Sequence, residues 1–374
     1  MTIEKKFFGD LLVVYQGLDG KNRKCWVLLE GPKKKGVAEE NVAGKIDNPL
    51  FFLKFFKGYG FDIANPRGIT NLRGTTLFVS AAVQALEDVL HGDQLPPLGQ
   101  RLVVAQPVLR SQFIGRAEEG VSTCFVNVGS EVIGISKDDH LEIFKIWLDF
   151  LRYLGIAPEE LKFVTEEKID KWGEKNISSE TIRVRFKDIS IGDANFIISF
   201  PTKSGLITVS DIGFGVERIR WLLSGKSYWS FLGDSSVNFN PNVLDSWSTL
   251  ALLGGSGVLP SNNERGYRFR KVSKTLARLI GYHRGTVDIF HSAYERWKKW
   301  IELPVKKAEA EKLVLRELDR NTNALLKEKL QERGFRDVGI DINLPKGQFI
   351  KLLRGTSVTK RVLEEILATM GYET

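Results

Sequence analysis

The chain has 374 residues, 43% hydrophobic and 27% charged, with a net charge of +8. That length allows two domains, and the balance is that of a soluble globular protein. Two cysteines, Cys25 and Cys124, neither in a CxxC, exclude a disulfide framework and a cysteine zinc site, and four scattered histidines show no metal-ligand spacing. No apolar run reaches the roughly 18–20 residues that cross a bilayer. The opening MTIEKKFFGD lacks the apolar core of a secretory leader, so a cytoplasmic setting is expected. Residues 246–374 hold 24 Lys and Arg against 15 Asp and Glu, and the remainder holds 30 against 31. A neutral body with a basic last third is the footprint of a polyanion-binding module, or simply of a solubilising surface.

In chain order, Phe7–Gln16 and Arg23–Glu30 alternate and read as a β-hairpin around GLDGKN. A polar run to about residue 46 then makes an appendage and linker over 1–45. NPLFFLKFFKGYG (48–60) predicts an apolar-faced helix ended by glycine, and Leu77–Leu90 a second amphipathic stretch. RLVVAQPVLR (101–110) and TCFVNVGSEVIGI (123–135) predict two strands joined by a polar loop that presents Arg110 and Arg116, with Pro107 marking an edge or bulge. His140–Leu154 predicts a helix, and Leu161–Val164, Thr181–Phe186 and Ala194–Phe200 predict further strands. From about 246 the pattern is helical: a loop and basic helix over 257–281, then Val287–Trp300, Lys306–Arg333 and Thr359–Met370. The alternating charges of 306–333 read as a solvated face.

The chain is organised around GLITVSDIGFGVERIRWLLS (205–224). It reads as a buried strand closed by Asp211, a tight turn at Gly213 and Gly215, and a helix with Val216, Ile219 and Leu223 at helical spacing. The glycines let backbone approach a ligand. Arg218 suits a phosphate through its planar fork, and a carboxylate suits an ammonium. A small zwitterion beside a polyphosphate is the ligand this combination points to. The plain alternative is an ordinary strand-to-helix turn with Glu217 and Arg218 as a surface ion pair.

Four runs resemble class II aminoacyl-tRNA synthetases, and alanyl-tRNA synthetases in particular. DIGFGVERI (211–219) is similar to the third signature motif. RLVVAQPVLRSQ with TCFVNVGS is similar to the second, and TTLFVSAAVQALEDVLHG (75–92) to the first. GVLPSNNERGYRFRK (257–271) resembles the loop that opens the tRNA-recognition helices. The resemblance implies an α+β fold with an antiparallel sheet flanked by helices over 46–245 and an all-α, basic tRNA-recognition domain over 246–374. It implies ATP-dependent activation of an amino acid to an aminoacyl-adenylate, with Mg²⁺, and transfer to tRNA. Arg110 then matches the arginine that bridges the α-phosphate and the carboxylate, Phe125 the aromatic that stacks on adenine, and Arg218 the γ-phosphate arginine. Gly213 and Gly215 complete the ATP site. Asp211 matches the acid that binds the α-ammonium, with Trp172 and Asn195 lining the amino-acid pocket. Asn262 and Asn263, with Arg265, Arg268, Arg270, Lys271 and Lys274, fall where the family meets nucleic acid. Glu180 and Asp193 are the metal candidates.

The sequence also departs from the family. The loop after Arg110 is short and lacks the expected lysine, with Arg116 as its substitute. Gly120–Ser122 replace a histidine pair, and Val126 stands where an acid is expected. GQFIKLLRGTSVT (347–359) lacks the aspartate that reads the acceptor stem. The amino acid therefore stays open. So does the acceptor, with a carrier protein or small amine, or a paralogue without catalysis, as alternatives to tRNA.

Overall fold

The structure, a computed structural model, describes residues 5–8, 11–18, 24–30, 48–71, 76–86, 97–172, 175–202, 205–225, 239–281, 285–334 and 359–369. It divides into two compact units. One comprises Met1–Val108, Phe125–Tyr228 and Lys299–Ile301, and the other Leu109–Cys124, Trp229–Lys298 and Glu302–Thr374.

The first unit is a ten-stranded sheet with helices on one face, an α+β arrangement. Its strands are β1 (Lys5–Phe8), β2 (Leu11–Leu18), β3 (Lys24–Glu30), β4 (Asp62–Ile63), β5 (Arg101–Leu109), β6 (Cys124–Ile133), β7 (Leu161–Trp172), β8 (Lys175–Phe186), β9 (Ile189–Thr202) and β10 (Gly205–Gly215). Their order is β1-β2-β3-β7-β8-β9-β10-β6-β5-β4. The recorded pairings are antiparallel except β4 with β5. The expected N-terminal hairpin is three strands rather than two. β1 ends at Phe8 and β2 begins at Leu11, and β3 pairs with β7 so that the appendage extends the sheet. Strands β8 and β9 run longer than their apolar patterns because the tight connection at Lys187 and Asp188 lets their ends keep pairing. At the β8–β9 connection Lys187 and Asp188 both take positive φ, 49° and 60°, the backbone a two-residue hairpin demands. Pro107 is tolerated because β4, only two residues long, pairs β5 no further than Val103.

Alternation along β6, CFVNVGSEVI, sends Val126, Val128, Ser130 and Val132 to one face and Phe125, Asn127, Gly129, Glu131 and Ile133 to the other. The first face meets α1 (Pro49–Gly58) and α2 (Lys137–Tyr153). Trp147 on α2 donates its Nε1–H to Ser130 Oγ at 2.6 Å and stacks on Phe214, ring centroids 4.7 Å apart. Phe56 on α1 packs 4.4 Å from the same indole. Ser136 and Asp139 form a reciprocal capping box at the start of α2. On this face His140 Nδ1 lies 2.7 Å from Ser210 Oγ, and burial pushes the imidazole down to about 4, so it is neutral at pH 7.

The second unit is helical: α4 (Pro241–Gly255), α5 (Glu264–Ile280), α6 (Val287–Lys298), α7 (Lys307–Glu332) and α8 (Lys360–Thr369), with α3 (Val216–Ser224) belonging to the first. Helix α4 is buried along all but its first residue. Its polar side chains are therefore paired. Asp245 accepts from the Thr123 N–H and Oγ–H at 2.8 and 2.6 Å, and Arg296 donates to Ser248 Oγ at 2.7 Å. Helix α7 corrects the reading of 306–333 as a solvated face: Ala310, Val314, Leu318, Leu326 and Leu330 are buried, and Glu317 with them. The charge alternation hid a spacing of 3–4 beneath it. Among the described residues no helix is long and apolar enough to cross a membrane.

Burial pushes the Asp245 carboxyl from 3.8 up to about 7, against the two Thr123 hydrogen bonds. Between those values the folded chain holds a proton that the unfolded chain has released. Stability therefore falls as pH rises through that window, by about 4 kcal/mol for roughly three pKa units, and is level above it. Thermal melts from pH 4 to 8 are expected to show this fall in the parent relative to Asp245→Asn, in which it is absent.

Candidate active site

The second face of the sheet carries a polar row. Register sets Glu131 opposite Asp211, Asp211 opposite Asn195, Asn195 opposite Thr181 and Thr181 opposite Glu166. Five strands thus contribute one residue each to a line crossing the sheet. Thr181 Oγ–H donates to Asn195 Oδ1 at 2.8 Å, and Asn195 Nδ2–H donates to Asp211 Oδ2 at 3.2 Å. On one side of this row Ile133, Val209 and Ile197 join an apolar cluster with Val83, Leu86 and Phe200. On the other side stand Gly129 and Gly213.

Over this face lies the segment 76–86. It contains only a five-residue 3-10 helix, Ala82–Leu86, where the apolar pattern predicts a longer amphipathic stretch; residues 87–90 lie outside the described chain. Side chains rather than helical hydrogen bonds fix it. Gln84 Oε1 accepts from Ser80 N–H at 2.5 Å and Ala81 N–H at 3.1 Å, and Asn127 Oδ1 accepts from Ala82 N–H at 2.9 Å. Between segment and sheet is a pocket of about 420 Å³, lined by Ser80, Gln84, Lys168, Asp193, Asn195 and Asp211 with smaller apolar groups. Two of the expected amino-acid-binding residues, Asp211 and Asn195, therefore share one cavity.

Gly213 and Gly215 are not a turn. Both continue β10 in extended conformation, and Gly215 caps α3 directly. Close approach, not left-handed backbone, is what requires glycine here: a Cβ on Gly213 would lie 2.8 Å from Asn127 Nδ2. Phe125 is half-buried beside them, its ring 3.7 Å from where a Gly215 Cβ would stand. Arg218, in the first turn of α3, donates to the Ser190 carbonyl at 2.7 Å. Glu217 is not a surface partner of Arg218. It is buried and accepts the Val126 N–H at 2.9 Å, and Val126 itself is fully buried on the helix-facing side, where an apolar residue fits.

Trp172 ends β7 opposite Lys175, six residues past the polar row and so about 20 Å along the strand, and is not brought to Asn195. Arg110 and Arg116 belong to the other unit. The Arg110 N–H donates to the Thr123 carbonyl at 2.7 Å, and Arg116 pairs with Glu119 through two hydrogen bonds of 2.8 and 2.5 Å. Glu180 pairs with Lys137 and Asp193 with Arg183, and register sets the two acids on opposite faces of the sheet. Among the described residues no cluster of three metal-binding side chains forms. Glu180 and Asp193 therefore do not converge on one ion.

In the helical unit, Lys271, Lys274 and Arg278 are exposed on α5 at 3–4 spacing. Arg268 lies over the Tyr267 ring at 5.4 Å, and Arg270 reaches Asn262 and, at 3.5 Å, Glu317. Arg265 is half-buried. Asn263 caps α5 without a side-chain bond, and Gly266 is required there because a Cβ would meet Ser261 Oγ at 2.1 Å. A groove of about 720 Å³ between α5 and α7 is lined by Arg270, Arg316, Arg320 and Lys327 among others.

The sequence reading missed Glu131 and Lys168. Glu131 is 1% exposed, and among the described residues no donor reaches either of its oxygens. Burial, and then the charge of Asp211 across the strand, push its carboxyl well above the ordinary 4.5. Taking up a proton at pH 7 costs an ordinary glutamate about 3.5 kcal/mol, less than leaving a carboxylate buried and unpaired. Burial thus favours the neutral acid form of Glu131. Locally it shows only as a lone acid inside the apolar run FVNVGSEVIGI, which does not say what it does there.

No family model matches the chain. Alanine-tRNA ligases from Pyrobaculum arsenaticum and Pyrobaculum aerophilum are each 25% identical over 192 residues, which is 46% of this chain and 20% of theirs. One from Methanosphaera stadtmanae is 25% identical over 186 residues, with the same coverage. The match thus spans about a fifth of the length of these relatives. A crystal structure of prolyl-tRNA synthetase from Cryptosporidium parvum, complexed with L-proline and AMP, overlaps 78% of this chain and 72% of its own at a TM-score of 0.27 and 11% identity, too loosely to align site residues. In sequence the chain is thus similar, over about half its length, to alanine-tRNA ligases.

The close packing over Gly129 yields a test of the covering segment. A Cβ there would lie 2.4 Å from Ala82 Cβ. Gly129→Ala is expected to destabilise the first unit by about 1–3 kcal/mol, read as a lower melting temperature, and to speed proteolysis within 76–86.

Proposed function

We propose that the chain activates an amino acid with ATP, giving an aminoacyl-adenylate and pyrophosphate, and passes the acyl group to a tRNA or tRNA-like acceptor. The observation that carries the reading is the pocket lined by Asp211, whose carboxylate is held by the Thr181–Asn195 hydrogen bonds. A carboxylate with a fixed orientation suits an α-ammonium. Phe125 beside Gly215 is the adenine platform in this reading, and Arg218 takes the terminal phosphate in exchange for the Ser190 carbonyl. The resemblance of RLVVAQPVLRSQ to the second signature motif is what assigns Arg110 the α-phosphate and the substrate carboxylate. Attack of the amino-acid carboxylate oxygen on the α-phosphorus forms the mixed anhydride and breaks the bond to the pyrophosphate leaving group. Such a step needs alignment and charge neutralisation more than an acid or base, which fits a site without histidine. Mg²⁺ belongs to the nucleotide here, and no step is routed through a protein-held ion.

The acceptor half of the reading is supported by the basic last third and by the groove between α5 and α7. The departure at 347–359, of which residues 347–358 lie outside the described residues, favours the second reading, adenylation that loads a carrier protein or small amine. Charging of purified total tRNA separates the two.

ATP–pyrophosphate exchange across the amino acids is expected to succeed with at least one, and silence with all of them removes the enzyme reading. Arg110→Ala is expected to lower exchange at least about a hundredfold without lowering the melting temperature; an unchanged rate removes Arg110 from the mechanism. Binding of tRNA is expected to weaken steeply with salt, and Arg316→Ala with Arg320→Ala to reduce the slope of log affinity against log salt by about two. Binding indifferent to salt contradicts an electrostatic footprint.

A further inference from the structure

We infer that Glu131 is a positioning residue for the amine-binding carboxylate: it donates its own proton to Asp211, so that two acids present a single, fixed negative charge to a ligand ammonium. This rests on the reading of Asp211 as the ammonium anchor. Glu131 does not line the pocket itself and touches no substrate, so its action passes through Asp211.

The geometry behind it is independent of that reading. Glu131 and Asp211 are register partners on neighbouring strands and point to the same face. Glu131 is 1% exposed, and among the described residues no Lys or Arg pairs with it. Its Oε1 lies 3.0 Å from where a Gly129 Cβ would stand, under the Ala82–Leu86 segment, so water is excluded. Asn195 approaches Asp211 from the opposite side, donating to Oδ2 at 3.2 Å. A carboxylate held between an amide N–H and an acid O–H cannot rotate without losing one of them. That is a device for orientation: the donors take the flanks and leave the pocket side of Asp211 aimed at the ligand. A glutamate is needed rather than an apolar residue because only a donor holds the carboxylate, and its burial among apolar neighbours keeps the donor neutral.

Two measurements on the full chain test it. Infrared spectroscopy near neutral pH is expected to show the carbonyl band of a neutral carboxylic acid in the parent that is missing in Glu131→Gln. Asp245 contributes to the same region in both proteins, so the difference spectrum is what is read. An identical spectrum in the two proteins overturns the proposal whether or not any amino acid is activated. In exchange kinetics, with the amino acid that supports exchange, Glu131→Gln keeps a donor and is expected to hold the KM within about threefold of the parent. Glu131→Met is near in volume but has no donor. It is expected to raise that KM about ten- to hundredfold, with kcat and the KM for ATP within about threefold. A Glu131→Gln that loses as much as Glu131→Met shows that a second negative charge is required, and overturns the proposal. So does an unchanged KM in Glu131→Met. If Glu131→Met fails to fold, Glu131→Gln and the spectrum still decide. Silence of the parent with every amino acid removes the ammonium reading instead, and the spectrum alone then decides the shared proton.

Discussion

The candidate site depends on one constraint, the register that lines up Glu131, Asp211, Asn195, Thr181 and Glu166 across five strands. Side chains alternate with a period of two, so a slip by one residue would send the whole row into the aromatic core under α1 and α2 and expose that core to the pocket. The two faces hold the register from opposite sides. Trp147, Phe56 and Phe214 fill one face, and Ile133, Val209 and Ile197 seal the other around the polar line. Within the row Thr181 donates to Asn195 and Asn195 to Asp211, while Glu166 at its end pairs with Arg183 and Lys168. The hydrogen bonds run towards Asp211 from either side, which makes it the natural terminus for an external cation.

The glycines serve the same arrangement by what they leave out. Gly129 lets Ala82 sit on the sheet, and Gly213 makes room for the Asn127 amide. Asn127 then holds the Ala82 N–H, so one side chain anchors the covering segment that closes the pocket. Fold and site are not separable here, since the residues that secure the cover are neighbours of those that line the cavity.

The helical unit solves a different problem. Helix α4 is surrounded, so its hydroxyls and its carboxyl have no water to turn to. Thr123 and Arg296 supply the partners, and Cys124, pushed up to about 12 by burial, stays a thiol against Ser248 and Thr249. The excursion Leu109–Cys124 is thereby tied into the helical unit although it lies between two strands of the sheet in sequence.

What the sequence determined by itself is considerable. Local patterns sufficed for α1, α2, the terminal helices and the cores of β5 to β10, because periodicity and capping act within a few residues. The motif around Asp211 and Arg218 pointed to the site, and Asp211 with Asn195 does line one cavity. What only the tertiary structure decided is whatever depends on residues far apart in the chain. Glu217, a surface ion in the plain alternative, is buried and accepts the N–H of Val126, 91 residues away in the chain. Gly213 and Gly215 read as a turn and are strand, since their need for a missing Cβ comes from Asn127 and not from their own φ. Glu131 read as nothing, because an acid becomes a donor only when a second acid is set against it and water is shut out. Register and burial create that chemistry, and neither is a property of any local stretch.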